Sequence, residues 1–122
     1  MMVDKKVGFL VTHAADDPER ATLPFMLATG AMAMGVEPVV ILQMEGVRLA
    51  IADGAEAAAA PGLAPLADLM GAVLAAGFPI MVCSPCMTDR GITEDQLLDG
   101  FFVGGAGQVV QSMLECESFL TY

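Results

Sequence analysis

Three short apolar runs, spaced by segments of helical character, restrict this chain to an alternating α/β layer. Lys5 to Thr12, Glu37 to Gln43 and Pro79 to Cys83 are dominated by Val, Ile, Leu, Phe and Met. Runs this short and continuously apolar read as strands buried on both faces, the pattern of a parallel sheet. Between the first two, Asp17-Pro18-Glu19 is a helix start, with Asp as N-cap, Pro at the first helical position and an acid in the first turn. The helix is expected to run to about Met34 and stop at Gly35, a natural C-terminal residue. Leu23, Met26, Leu27, Gly30, Ala31 and Met34 recur at three and four along it and predict one packing face.

The rest of the chain continues the alternation. Met44 to Ile51 reads as a turn around Gly46, and Ala52 to Pro61 as a mobile small-residue loop. Leu63 to Ala76 is a second helix, closed by Gly77. Cys83 to Cys86 leads into a polar segment, Met87 to Gln96, where Thr93 and Gln96 have capping-box spacing. Phe101 to Val103 is a fourth short strand, Gln108 to Glu115 a helix, and Cys116 to Tyr122 a fifth strand. The expectation is a single domain over residues 1–122 with a mainly parallel central sheet of about five strands.

Composition narrows the function classes. Five Lys and Arg stand against fifteen Asp and Glu, a formal net charge of −10, with no basic stripe. Direct nucleic-acid binding is therefore not expected, since it depends on neutralising phosphates. The charge suits solubility and is compatible with a protein partner that has a basic face. Residues 21–36 and 69–88 carry no charge, but Pro24, Gly30 and Gly35 break up the first and Gly77 and Pro79 the second. Neither is a convincing membrane span. An apolar fraction of 56% is high for so small a domain and predicts a homo-oligomer that covers the excess. Three cysteines without a disulfide framework, and nothing resembling a secretory signal, point to a reducing cytoplasm.

In a parallel sheet the C-terminal strand ends share one rim, where ligands bind. That rim is expected to carry His13, the turn from Glu45 to Arg48, and Cys83 to Cys86. Cys83 is either a small buried hydrophobe or a reactive thiol. Beside backbone N–H groups and Arg90 it is expected to ionise more easily than a free cysteine. Cys86 completes a C-x-x-C pair, which fits a dithiol redox couple or half a zinc site. Only Cys116 and His13 remain as further ligands, which argues against zinc, and Cys116 reads as structural. His13, the sole histidine, is a general base or a hydrogen-bonded loop residue. Arg48 and Arg90 are anion ligands or surface ion-pair partners. Gly104-Gly105-Ala106-Gly107 cradles an anion or makes a tight strand-to-helix turn. It is neither a P-loop nor a dinucleotide fingerprint. The ten methionines fit core filling or subunit contacts.

These residues together resemble the DsrE/DsrF-like family, which includes TusD-type sulfur-relay subunits. The resemblance spans nearly the whole chain. It rests on Thr12 to Arg20 after the first strand, Met34 to Leu42, Gln43 to Leu49, Val82-Cys83, Arg90-Gly91-Ile92-Thr93, and Gly104-Gly105-Ala106 opening the last helix. Cys83 is followed at eight residues by Gly91, which looks like the family's sulfur-carrying position; Cys86 does not occupy it. The resemblance implies a three-layer α/β/α fold, assembly into trimers or hexamers, and a persulfide carrier that exchanges sulfur with donor and acceptor proteins. No cofactor and no metal are expected. Cys86 would then resolve or protect the persulfide, and His13 would be an optional proton shuttle.

Overall fold

The computed structural model describes residues 5–122. The first four residues of the expected 1–122 domain lie outside the described residues. In chain order the elements are β1 (Lys6–Val11), α1 (Pro18–Ala33), β2 (Glu37–Leu42), a 3-10 segment (Met44–Ala50), α2 (Gly54–Ala57), α3 (Leu66–Ala75), β3 (Ile80–Cys83), α4 (Ser84–Asp89), a 3-10 turn (Glu94–Gln96), β4 (Phe101–Gly104), α5 (Ala106–Glu115) and β5 (Ser118–Thr121). The five strands form one sheet in the order β4-β3-β2-β1-β5, and every pairing is parallel. All strands therefore point the same way, and their C-terminal ends form one rim.

The two faces of the sheet are covered unequally. Phe9, Val11, Val40, Leu42, Ile80 and Val82 belong to the main core, with Phe25 and Ala28 of α1 and Leu66, Met70 and Val73 of α3. The alternate positions Leu10, Ile41 and Met81 meet Val109 of α5 and Phe119 of β5 on the other face. Burial on both sides explains why the strands read as continuous apolar runs. Gly8 leaves the space that the Phe119 ring fills, since a Cβ there would lie 2.2 Å from the ring.

The packing face of α1 differs from the expected one. Asp17 caps the helix through a bond from the Arg20 N–H, and Ala21, Phe25, Ala28 and Ala31 are buried. Burying Phe25 alone contributes about 1.5–3 kcal/mol, and the alanines let α1 lie close to the sheet. Leu23 is only half-buried, and Met26, Leu27, Gly30 and Met34 are exposed. Hydrophobic spacing alone favoured the larger side chains; close approach to the sheet selected the smaller ones. Leu27, Gly30, Ala31 and Met34 instead line an apolar groove of about 420 Å³ with Val7 and Leu120.

Other local differences have simple causes. Residues 52–61 contain the short α2, and Ala55, Ala58 and Ala60 are buried, so this small-residue segment is packed. The helix expected from Leu63 begins at Leu66, after Pro65 in extended backbone. The expected turn around Gly46 is a full 3-10 segment that crosses the end of β1. A Cβ on Gly46 would stand 2.1 Å from the Val11 carbonyl oxygen, so only glycine permits that crossing. Among the described residues, no helix is long and apolar enough to cross a membrane.

Candidate functional site

The thiol loop is the first turn of a helix. β3 ends at Cys83, whose backbone is extended, and Cys83 is the N-cap of α4 with Pro85 in the first turn. No apolar periodicity runs over Ser84 to Asp89, so this helix carries no stripe that a sequence reading can detect. Its C-terminus is equally well defined. Gly91 takes φ +69°, its N–H donates to the Thr88 carbonyl, and the Ile92 N–H donates to the Met87 carbonyl. This is a Schellman closure, with the left-handed position held by glycine. Met87 and Ile92 are both buried in the main core. The eight-residue spacing from Cys83 to Gly91 thus measures one short capped helix, from N-cap to C-terminal glycine.

Cys83 is buried, with only 8% of its surface exposed, while Cys86 is half-buried. All three cysteines are free thiols. Cys83 stands opposite Gly104 in the β3–β4 register, and Gly104 is itself required by the Met81 side chain packed against it. Burial pushes the Cys83 thiol above its ordinary range, and the neighbouring Cys86 thiol adds to that. The Cys86 N–H and the Arg90 charge pull in the opposite direction without prevailing. No side-chain hydrogen bond from Cys83 caps α4, so that amide acts as a nearby dipole. The expected ease of ionisation is therefore corrected: at rest Cys83 holds its proton more tightly than a free cysteine.

Arg90 is committed elsewhere. Its Nε donates to Glu45 Oε2 at 2.5 Å and its Nη1 to the Cys86 carbonyl at 3.3 Å. Arg48 Nε donates to the other oxygen, Glu45 Oε1, at 2.8 Å. Glu45 thus joins both arginines, and the Arg90 and Arg48 hydrogen bonds hold its carboxyl below the usual range. Met44, just before it, adopts φ +52°, uncommon for a residue with a side chain. That kink turns the chain from β2 into the 3-10 segment carrying Glu45. The position of Glu45 after β2 puts it on the rim. Its only signal was a charged turn directly after an apolar strand.

His13 occupies a different corner. Its Nδ1 lies 2.7 Å from Asp16 Oδ2, and the Ala14 N–H donates to Asp16 Oδ1 at 2.7 Å. Burial would raise Asp16, but the Ala14 amide and His13 outweigh it and hold the carboxyl low. His13 faces a cleft of about 620 Å³ lined by Thr12, Glu19, Arg20, Leu23, Thr121 and Tyr122. This cleft lies at the ends of β1 and β5, where the Thr12 N–H and hydroxyl both donate to the Tyr122 carbonyl and keep the two chain segments paired. None of its lining residues belongs to the Cys83 corner. The rim therefore gathers Cys83, Cys86, Arg90, Glu45 and Arg48, with Gly104 alongside, and leaves His13 apart.

Gly105 is the N-cap of α5, and its N–H is taken by Gln108 Oε1 at 2.9 Å. The glycine segment is thus a strand-to-helix turn with one donor already satisfied. Cys116 ends α5, with Lys6, Glu37 and Glu115 as its charged neighbours, and burial raises its thiol. Among the described residues, no three His, Cys, Asp or Glu side chains gather as metal ligands.

The DsrE/DsrF-like family model matches residues 5–122. An uncharacterized protein of Methanocaldococcus jannaschii, MJ0760, is 34% identical over 95 residues, covering 78% of this chain. This chain spans about a third of that relative's length, 34%. The crystal structure of the ychN protein from E. coli superposes with a TM-score of 0.72 at 19% identity, covering 97% of this chain and 99% of that one. MTH1491 from Methanobacterium thermoautotrophicum, titled a protein of unknown function, superposes with a TM-score of 0.73 at 20% identity, covering 98% of this chain and 100% of that one. At these identities the two structures share the fold with this chain, a central parallel sheet between helical layers.

Proposed function

The chain belongs to the DsrE/DsrF-like family, and we propose that within it this protein is a sulfur-relay carrier that holds sulfane sulfur on Cys83. The observation that carries the reading is Cys83 itself: a free thiol at the C-terminal end of an inner strand, capping a short helix, beside a second thiol and an arginine. The Cys83 thiolate attacks the outer sulfur of a donor persulfide. A sulfur–sulfur bond forms to Cys83, the donor's inner bond breaks, and the donor leaves as a thiolate. An acceptor thiolate then removes the outer sulfur and returns the Cys83 thiolate. Neither transfer changes the net oxidation state.

Burial keeps the resting thiol protonated, so attack on the donor follows loss of that proton in the docked complex. Backbone N–H groups of the first turn of α4, with Arg90, favour the anion once it forms. Arg48 supports this through Glu45, and Gly105, with nothing packed where a Cβ would stand, leaves the end of β4 open for the approaching partner beyond the buried Gly104. Where no acceptor docks, Cys86 protects the site or resolves the persulfide: its thiolate attacks the Cys83 sulfur, hydrosulfide leaves, and an external dithiol reduces the resulting disulfide back to the two thiols. His13 serves at most as a relay to solvent, since its bonds and cleft lie at the other corner. The site calls for no cofactor.

The partners of this reading are donor and acceptor proteins and further copies of the chain, in the cytoplasm. Exposed Met26, Leu27 and Met34 on α1, and Val110, Met113 and Leu114 on α5, supply apolar surface for a trimer or hexamer. The test is intact-protein mass spectrometry after incubation with a small persulfide donor. A gain of about 32 Da, one sulfur atom among the reversible thiol caps, is expected in the wild type and not in Cys83→Ser. An adduct that persists in Cys83→Ser overturns the assignment.

A second reading is a dithiol redox protein. It is favoured by the position of both cysteines across the first turn of α4, with Cys86 acting directly on Cys83. Titration against a dithiol buffer separates the two. A Cys83–Cys86 disulfide that forms reversibly without any sulfur donor supports it, and its absence at all accessible potentials removes it.

A further inference from the structure

The arginine that should favour an anion at Cys83 is held by a carboxylate from another strand end. Glu45 follows β2 and lies 45 positions from Arg90 in sequence, yet its two oxygens take the Nε groups of Arg90 and Arg48. Arg90 cannot simply swing away, because its side chain is 18% exposed and it also reaches the Cys86 carbonyl. Its backbone is fixed at the C-cap of α4, immediately before Gly91. The guanidinium therefore stays next to the thiol loop while its charge is balanced by Glu45.

The charged and titratable groups facing Arg90 are Glu45 from the segment after β2, and Asp89 and Cys86 from α4. Those acting on Cys83 are Cys86 and Arg90. Asp89 lies 3.7 Å from Arg90 and its side chain is 82% exposed, where water screens it. Glu45 is thus the partner best placed to offset the guanidinium.

We propose that Glu45 is a positioning residue that sets the reactivity of Cys83 by occupying Arg90, and that releasing this carboxylate turns Arg90 into the counter-charge for the working thiol. Removing it acts through the arginine: the positive charge beside the thiol is no longer balanced, while the groups that act on Cys83 directly are Cys86 and Arg90. The inference rests on Cys83 being the working cysteine. It assigns to Glu45 no contact with sulfur.

The experiment is the pH profile of Cys83 alkylation by iodoacetamide, resolved from Cys86 by fragment-ion mass spectrometry. Glu45→Gln is expected to raise the Cys83 rate at pH 7 by about three- to tenfold, because a tenfold change in thiolate fraction corresponds to one pH unit. The whole profile moves to lower pH. Glu45→Asp, which keeps the charge, stays within about twofold of the wild type, and its retention excludes a general loosening of the loop. In an Arg90→Gln background the Glu45→Gln effect falls below about twofold, since the arginine through which it acts is gone. A profile unmoved or moved to higher pH by Glu45→Gln overturns the proposal. So does an equal effect of Glu45→Gln with and without Arg90. The readout is ionisation rather than sulfur transfer, so failure to load sulfur and failure of this inference remain distinguishable.

Discussion

The two corners of the sheet rim show how little a strand-end position says until its neighbours are known. Cys83 ends the buried strand β3, and His13 lies two residues past the end of β1. The Cys83 corner is closed: the thiol is buried, the C-terminus of its helix is closed at Gly91, and Arg90 is clamped between Glu45 and the Cys86 carbonyl. The His13 corner is open: the imidazole rests on Asp16 and faces a cleft of about 620 Å³. A closed corner suits a thiol that must not react before its partner arrives, since burial both shields it and keeps it protonated. The His13 cleft is lined by no cysteine and offers no thiol to shield. On this reading sulfur chemistry belongs to the first corner alone.

The comparison breaks most directly if His13 proves necessary for sulfur loading. Cys83→Ser is expected to abolish the persulfide adduct, whereas His13→Ala loads at the wild-type rate within about twofold, as expected for sites that share no partner. A loss of loading in His13→Ala would join the two corners. Gly46 gives the next largest effect, because it lies against the end of β1 and immediately follows Glu45. Gly46→Ala places a Cβ 2.1 Å from the Val11 carbonyl oxygen. It should destabilise the domain by about 1–3 kcal/mol, measured by urea unfolding, and disturb both corners at once.

Gly91→Ala sharpens the picture of the closed corner alone. Nothing crowds that position, but its φ of +69° makes a side chain cost about 1 kcal/mol. Unfolding by urea should show that loss. The smallest effect is on alkaline stability. The folded Cys83 thiol holds its proton more tightly than the unfolded one. Its contribution is therefore intact below about pH 8.5, the unfolded value, and fades as pH rises through the higher folded value. The alkaline decline in stability should be shallower in Cys83→Ser; an unchanged decline would show that the thiol is not held protonated by the fold.

Much of the frame was legible in sequence because burial on both faces leaves an unbroken apolar signal. β1, β2 and β3 stood out for that reason, and Asp17-Pro18 marked the start of α1 through local capping chemistry. Local signals misled where tertiary packing chose between apolar residues, as on α1, where alanines rather than methionines face the sheet. α4 was hidden because it is six residues long and is defined by its caps rather than by a stripe. Cys83, Cys86 and Arg90 could be placed together from their position after β3. The Glu45–Arg90 pair could not, because no local pattern links charges 45 residues apart. The same limit applies to acidity: the sequence shows an arginine near a thiol, while only the packing shows that burial opposes it and that a carboxylate holds the arginine.

The central claim concerns the sulfur on Cys83, and its most direct test is the state of that residue in protein isolated without reductant. Fragment-ion mass spectrometry before and after exposure to a persulfide donor is expected to place about 32 Da, one sulfur atom, on Cys83. A thiol-directed cap should trap it, and a reductant should remove it. Sulfur found on Cys86 or Cys116 instead, or a Cys83 that stays unmodified under both conditions, would contradict the account.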